Sequence, residues 1–105
     1  MADEQRVRLR QMLVRLRERT KKYRQDLSAL DAETKQNLKR AQFFFSSAKA
    51  KYVSPDLKKA QRTVARGFER SATVAKSQKA RVQQQMQRHL DLYRQVARIL
   101  AALKT

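Results

Sequence analysis

Cysteine is absent from the 105-residue chain. A disulfide framework and a thiolate metal site are therefore both excluded. There is one glycine and one proline, which leaves almost no turn vocabulary and implies long uninterrupted elements. Tryptophan is missing and aromatics amount to 7%. Long apolar runs are missing too. The longest charge-free stretch near the centre, Ala41 to Ala48, is far too short to span a bilayer. Acids are scarce: nine Asp and Glu face 26 Lys and Arg, a net charge of +17. That excess goes well beyond what solubility needs. In a compact domain it costs self-repulsion, so it points to a polyanion: RNA, DNA, an acidic protein surface or an anionic membrane.

The composition that remains is 41% apolar and 33% charged, which suits one small domain with a modest core. Ala, Leu, Gln, Lys and Arg dominate, and all favour helix. Apolar spacing sets the period. Leu9, Leu13, Leu16, Thr20, Tyr23, Leu27, Leu30, Thr34, Asn37, Ala41, Phe44 and Ala48 alternate steps of four and three with no charged member. That is a heptad seam. A second seam runs through Leu57, Gln61, Val64, Phe68, Ser71, Ala75, Gln78, Val82, Gln85, His89, Leu92, Val96, Ile99 and Leu103, again uncharged.

Ser54-Pro55-Asp56 reads as an N-cap serine, a proline at the first helical position and an acid in the first turn. Proline also pushes the residue before it out of helical geometry, which suits Ser54 as the cap. The expected fold is all-α: a long antiparallel helical hairpin of two coiled-coil-like helices. It forms a single domain over 1–105, with a helix over about 4–52, a turn at 53–54 and a helix over about 55–104. Each helix would be roughly 70 Å long at 1.5 Å per residue. The alternative is a three-helix bundle, because Ser28 to Asp31 could act as a capping box and break the first helix. The uninterrupted phase of the seam favours the hairpin. Its polar members thin the core, and such a hairpin is expected to belong to a larger assembly.

Phe43, Phe44 and Phe45 stand in a row beside the turn. Phe44 lies on the seam, where Leu57, Val64 and Phe68 would meet it. Phe43 and Phe45 lie about 100° to either side. One of them should tuck under the turn near Tyr52 and the other should face outward, so both are candidate partner-docking residues.

The chain carries no catalytic constellation, and it is read as a non-enzyme with no cofactor, no metal site and no small-molecule substrate. His89 is the sole histidine and sits on a seam, where it reads as a partly buried spacer. Gly67 stands alone next to Phe68, so it is no phosphate loop; it would permit a close helix approach. The scattered acids, Glu69 among them, read as partners for Lys or Arg one turn away. Leu92-Tyr93-Arg94 spells the tripeptide of the LYR-motif family of small, basic mitochondrial helical proteins. In that family the tripeptide opens the first helix of a three-helix bundle. Here it falls near the end of the chain, without room for the bundle behind it, and the family is not adopted.

The basic residues carry the functional reading. From Arg6 to Arg24 they stand against a single acid, Glu18. An arginine- and leucine-rich N-terminus has the look of a mitochondrial transit peptide, but Asp3, Glu4 and Glu18 and the shared apolar pattern place it in the mature fold. An uncleaved import signal remains compatible with it. Arg8, Arg15 and Lys22 form one row along the helix, and Arg10, Arg17 and Arg24 form another about 160° away. A helix lying on a membrane gathers charge on one face. Charge on both sides of a seam suits phosphate backbones instead, and membrane binding is not expected. Lys21 joins this cluster. Lys58, Lys59, Arg62, Arg66 and Arg70 form a second one past the turn. The planar fork of arginine suits phosphate.

The expected function is a structural RNA-binding subunit of a ribonucleoprotein, of ribosomal or mitoribosomal type. It would neutralise phosphate backbone, with ribosomal RNA as the natural RNA and neighbouring proteins as further partners. The location would be intracellular, mitochondrial or cytoplasmic. The alternative is a basic coiled-coil component of a protein assembly that binds an acidic surface such as microtubules or a filament. The location of the basic rows on a single stripe or on several sides separates the two.

Overall fold

The computed structural model describes residues 2–103. It consists of two α-helices, α1 (Ala2–Ala48) and α2 (Pro55–Leu103), and no strand occurs among the described residues. The helices pair antiparallel as a helical hairpin. α1 runs unbroken through Ser28–Asp31, so the three-helix alternative does not form. Asp31 instead reaches across to α2, where Lys79 Nζ lies 2.6 Å from its carboxylate.

Local chemistry explains the break between the helices. The Ser54 side-chain oxygen accepts from the Leu57 N–H at 3.2 Å, and the Ser54 carbonyl accepts from Lys58 N–H at 2.9 Å. That is the N-cap arrangement expected from Ser-Pro-Asp. α1 stops at Ala48, four residues before the expected Tyr52, and the connection covers 49–54 rather than 53–54. Lys49 and Ala50 donate to the carbonyls of Ser46 and Ser47 at 3.1 and 3.2 Å. Bonds to the residue three back tighten the last turn and satisfy its free carbonyls. No described residue has a positive φ, so the helix ends without the left-handed residue that a glycine would usually supply.

The paired helices divide into two compact units. The turn unit spans Ser28–Ala80; the terminal unit combines the segments up to Leu27 and from Arg81 onward.

In the turn unit the buried positions are Thr34, Asn37, Ala41 and Ala48 from α1, and Ala65, Ala72 and Ala75 from α2. Ala48, Ala65, Ala72 and Ala75 are each 1% exposed or less. Alanine at facing positions lets two helix backbones approach closely, and it leaves little side chain to bury. Larger groups in the same seam are half-buried. Phe44 stacks on Phe68 with ring centroids 5.8 Å apart, and the Arg40 guanidinium lies 5.7 Å from the Phe68 ring centre.

The terminal unit buries Thr20, Val96 and Leu100. Tyr23 meets His89 edge to face at 5.1 Å. Arg6 from α1 donates to the carbonyl of Leu103, supplying a cap to the last turn of α2, which has no basic residue of its own. Thr20 and Thr34 turn their hydroxyls back to the carbonyls of Leu16 and Leu30, each at 2.8 Å, and so satisfy themselves locally inside a seam.

All twelve expected seam positions of α1 are buried or half-buried, with Arg6 extending the line. α2 differs. Its Gln61, Phe68, Ala75, Val82, His89, Val96 and Leu103 line up as expected, but the alternate members are displaced by one residue. Lys58, Ala65, Ala72, Lys79, Met86, Tyr93 and Leu100 face α1; Leu57, Val64, Ser71, Gln78, Gln85, Leu92 and Ile99 are exposed. The expected line was also uncharged, whereas Lys58 and Lys79 occupy seam positions. α2 carries apolar residues on both flanks of its central line, and α1 covers one flank. The flank with Ala65 and Ala72 admits close approach; Lys79 on the same flank finds Asp31.

Gly67 is exposed, and a Cβ added there would meet nothing within 4 Å. It therefore mediates no close approach between the two helices, contrary to expectation. Gly67→Ala should stabilise the chain by about 1 kcal/mol through helix propensity. In a thermal melt followed by circular dichroism, that is a rise of roughly 4–8 °C; a fall would contradict the open surroundings of the glycine. Gln61 places its side-chain oxygen in the seam without a hydrogen-bond partner. Gln61→Leu removes that unpaired group and should add about 1 kcal/mol more, read as a higher urea midpoint.

Candidate nucleic-acid interface

Because each helix buries one stripe, long basic side chains on the other positions stand in solvent. Arg8, Arg10, Arg15, Arg17, Lys21, Lys22 and Arg24 are all exposed in the terminal unit. In the turn unit Lys59, Arg62, Arg66 and Arg70 are exposed, while Lys58 is half-buried at its seam position. Among the described residues the ion pairs join Arg6 to Asp3, Lys79 to Asp31 and Arg94 to Asp91, at 3.9, 2.6 and 4.0 Å. None of the twelve expected phosphate-binding residues takes part in one. The two pairs within a helix are spaced i to i+3 and are long. Glu69, expected to pair one turn away, lines a groove instead.

α1 places its two basic rows differently against α2. Arg8, Arg15 and Lys22 project away from the seam. Arg17 and Arg24 stand at its edge. With Thr20 and Lys21 they wall a groove of about 490 Å³ whose other side is Leu90 and Tyr93 of α2. Arg17 Nη2 donates to the Tyr93 hydroxyl at 3.2 Å. Tyr93 and Leu90 were not among the expected binding residues. The available signal was the heptad line through Tyr93, hidden by taking the neighbouring line as the seam. The Leu92-Tyr93-Arg94 tripeptide is split across the helix surface: Tyr93 lies in the seam, and Leu92 and Arg94 are exposed.

In the turn unit a groove of about 450 Å³ is lined by Leu38, Phe45, Lys49, Glu69 and Lys76, among others. Here the two expected docking phenylalanines part. Phe43 is 65% exposed and faces outward, touching Phe44 edge to face at 5.4 Å. Phe45 is half-buried in the groove and does not tuck against Tyr52, which is 96% exposed. Three further apolar side chains of α2 in this unit, Leu57, Val64 and Val74, are exposed as well.

His89 is half-buried. Its Nδ1 lies 2.8 Å from the Gln85 carbonyl oxygen. A carbonyl only accepts, so Nδ1 carries the proton. Among the described residues no three His, Cys, Asp or Glu side chains gather into a potential metal site, and no helix is long and apolar enough to cross a membrane. No protein-family model, curated protein or solved structure matches the chain.

The two exposure classes in the phenylalanine row separate by substitution. Phe44→Ser loses the stack on Phe68 and should cost about 2 kcal/mol, below the 3–5 typical of a fully buried ring because Phe44 is half-buried. Phe43→Ser should cost less than about 0.5 kcal/mol. Equal losses in chemical denaturation would contradict this placement.

Proposed function

We propose that the chain is a structural RNA-binding subunit of a ribonucleoprotein, of ribosomal or mitoribosomal type, that grips phosphate backbone with its helix surfaces. The observation that carries this reading is the set of twelve cations without an acidic partner, eleven of them exposed. A helix whose cations are left uncompensated on several sides releases counterions wherever phosphate approaches. Most such contacts position a nucleic acid and read no sequence. The protein neighbours of the assembly would be met by Phe43 and by the exposed Leu57, Val64 and Val74. The compartment on this reading is intracellular, mitochondrial or cytoplasmic.

Those same apolar side chains favour one second reading: a basic coiled-coil component whose partner is an acidic protein surface, such as a microtubule or filament. In that case the cations steer association, and the apolar residues supply the contact.

Binding of the full chain to structured RNA across a salt series tests the first reading. With about six phosphates neutralised, log K should fall against log salt with a slope of about −4 to −5. Replacing Arg8, Arg10, Arg15, Arg17, Lys22 and Arg24 with Gln touches no seam position and keeps good helix propensity, so helicity should survive. RNA affinity and the salt slope should both shrink, and by more than for any six-fold change in α2. A slope near zero would overturn the nucleic-acid reading. Retained RNA affinity with loss of a protein partner would favour the second.

A further inference from the structure

Phosphate backbone alone asks for cations and needs no apolar wall. The groove beside Tyr93 offers both. Arg17, Lys21 and Arg24 follow one another at steps of four and three on α1, which places them on one face. Opposite them stand the ring of Tyr93 and the side chain of Leu90, and no acid lines the groove. Its volume of about 490 Å³ falls within the roughly 300–1,000 Å³ of small-ligand sites. The Arg17–Tyr93 hydrogen bond of 3.2 Å holds a guanidinium at the edge of the ring and leaves its remaining N–H groups available. Three other grooves among the described residues lack this combination. The one in the turn unit contains Glu69. In the terminal unit, one is lined by Val7, Arg10, Gln11, Val14 and Arg15 without an aromatic ring, and another includes Asp3 and Glu4.

We propose that this groove takes one unpaired nucleotide of the bound RNA, with its phosphate on Arg17, Lys21 and Arg24 and its base against Tyr93 and Leu90. The inference rests on the RNA reading and sharpens it. Stacking on an aromatic face tolerates any base, because every base has a π-face. The site therefore selects for a bulge, loop or single strand over a continuous duplex, and does so without reading sequence. A helical hairpin that otherwise holds backbone would thus gain one point that recognises RNA folding.

The test uses the full chain and two RNAs, a blunt duplex and the same duplex with one bulged 4-thiouridine, which differ by a single nucleotide. Ultraviolet crosslinking and mass spectrometry should place the bulged base on the peptide containing Leu90 and Tyr93. Affinity for the bulged RNA should exceed that for the duplex by about tenfold, as stacking one base on an aromatic ring implies. Tyr93→Leu should bring the ratio of bulged-RNA to duplex affinity down to about one, and Tyr93→Phe, which keeps the ring, should retain most of it. Circular dichroism checks that each variant is folded; if Tyr93→Leu is not, the crosslink in the unaltered chain decides.

Equal affinity for both RNAs with crosslinks spread over the basic residues would overturn the nucleotide site and leave the RNA reading standing. Failure to bind either RNA at low salt would overturn the RNA reading itself. Binding to phosphatidylserine vesicles, with no RNA crosslink at Tyr93, would assign the three cations to a lipid headgroup and overturn the proposal.

Discussion

A helix with a single neighbour can bury only one stripe of its surface. α1 and α2 each have that one neighbour among the described residues, and the rest of the structure follows from it. The stripe is filled differently in the two units. In the turn unit its buried positions are mostly alanine, which leaves little side chain to bury. In the terminal unit Val96 and Leu100 carry the burial, with Tyr23 and His89 in edge-to-face contact. Leu30, Phe44 and Phe68 in the turn unit and Leu13, Leu16 and Tyr23 in the terminal unit are half-buried, so each contributes only part of the roughly 25 cal/mol per Å² available on full burial. A polar residue in such a seam has few neighbours to satisfy it. Thr20 and Thr34 solve this by bonding to their own helix; Gln61 does not.

The same constraint decides where the charge goes. A stripe on each of two helices leaves most positions to solvent, and the excess of Lys and Arg occupies them. Self-repulsion then opposes folding. The seam opposes it with little buried area. Anything anionic that binds the folded chain relieves the repulsion and stabilises the fold by mass action. On the reading proposed above, fold stability and polyanion binding would be coupled through charge.

At one place the seam edge and a basic row coincide. Arg17 and Arg24 line a groove beside α2, and Arg17 donates there to Tyr93. In the turn unit the corresponding edge carries Leu38 and Phe45 from α1, with Glu69 and Lys76 from α2. One edge thus combines cations with a ring, and the other combines apolar side chains with mixed charge. The difference comes from a few side chains on otherwise similar helices.

By itself the sequence determined the helical class, the position of the break and the whole of the α1 seam. The α1 seam was legible because Leu recurs on both of its lines from Leu9 to Leu30 and charges avoid both. The start of α2 was legible because Ser54, Pro55 and Asp56 act within one turn. The end of α1 was not, since no glycine or proline marks Ala48 and the stop depends on bonds formed in the turn. Tertiary pairing alone decided which flank of α2 faces α1. Both flanks carry apolar residues, and periodicity is blind to the direction from which a partner helix approaches. That choice left Leu57, Val64, Leu92 and Ile99 in solvent, gave Lys79 to Asp31 and brought Tyr93 beside Arg17. The cations of the candidate site could be read from the sequence because exposure is the default for arginine. The ring that turns three of them into a groove could not, because it comes from the other helix and from the flank that only packing selects.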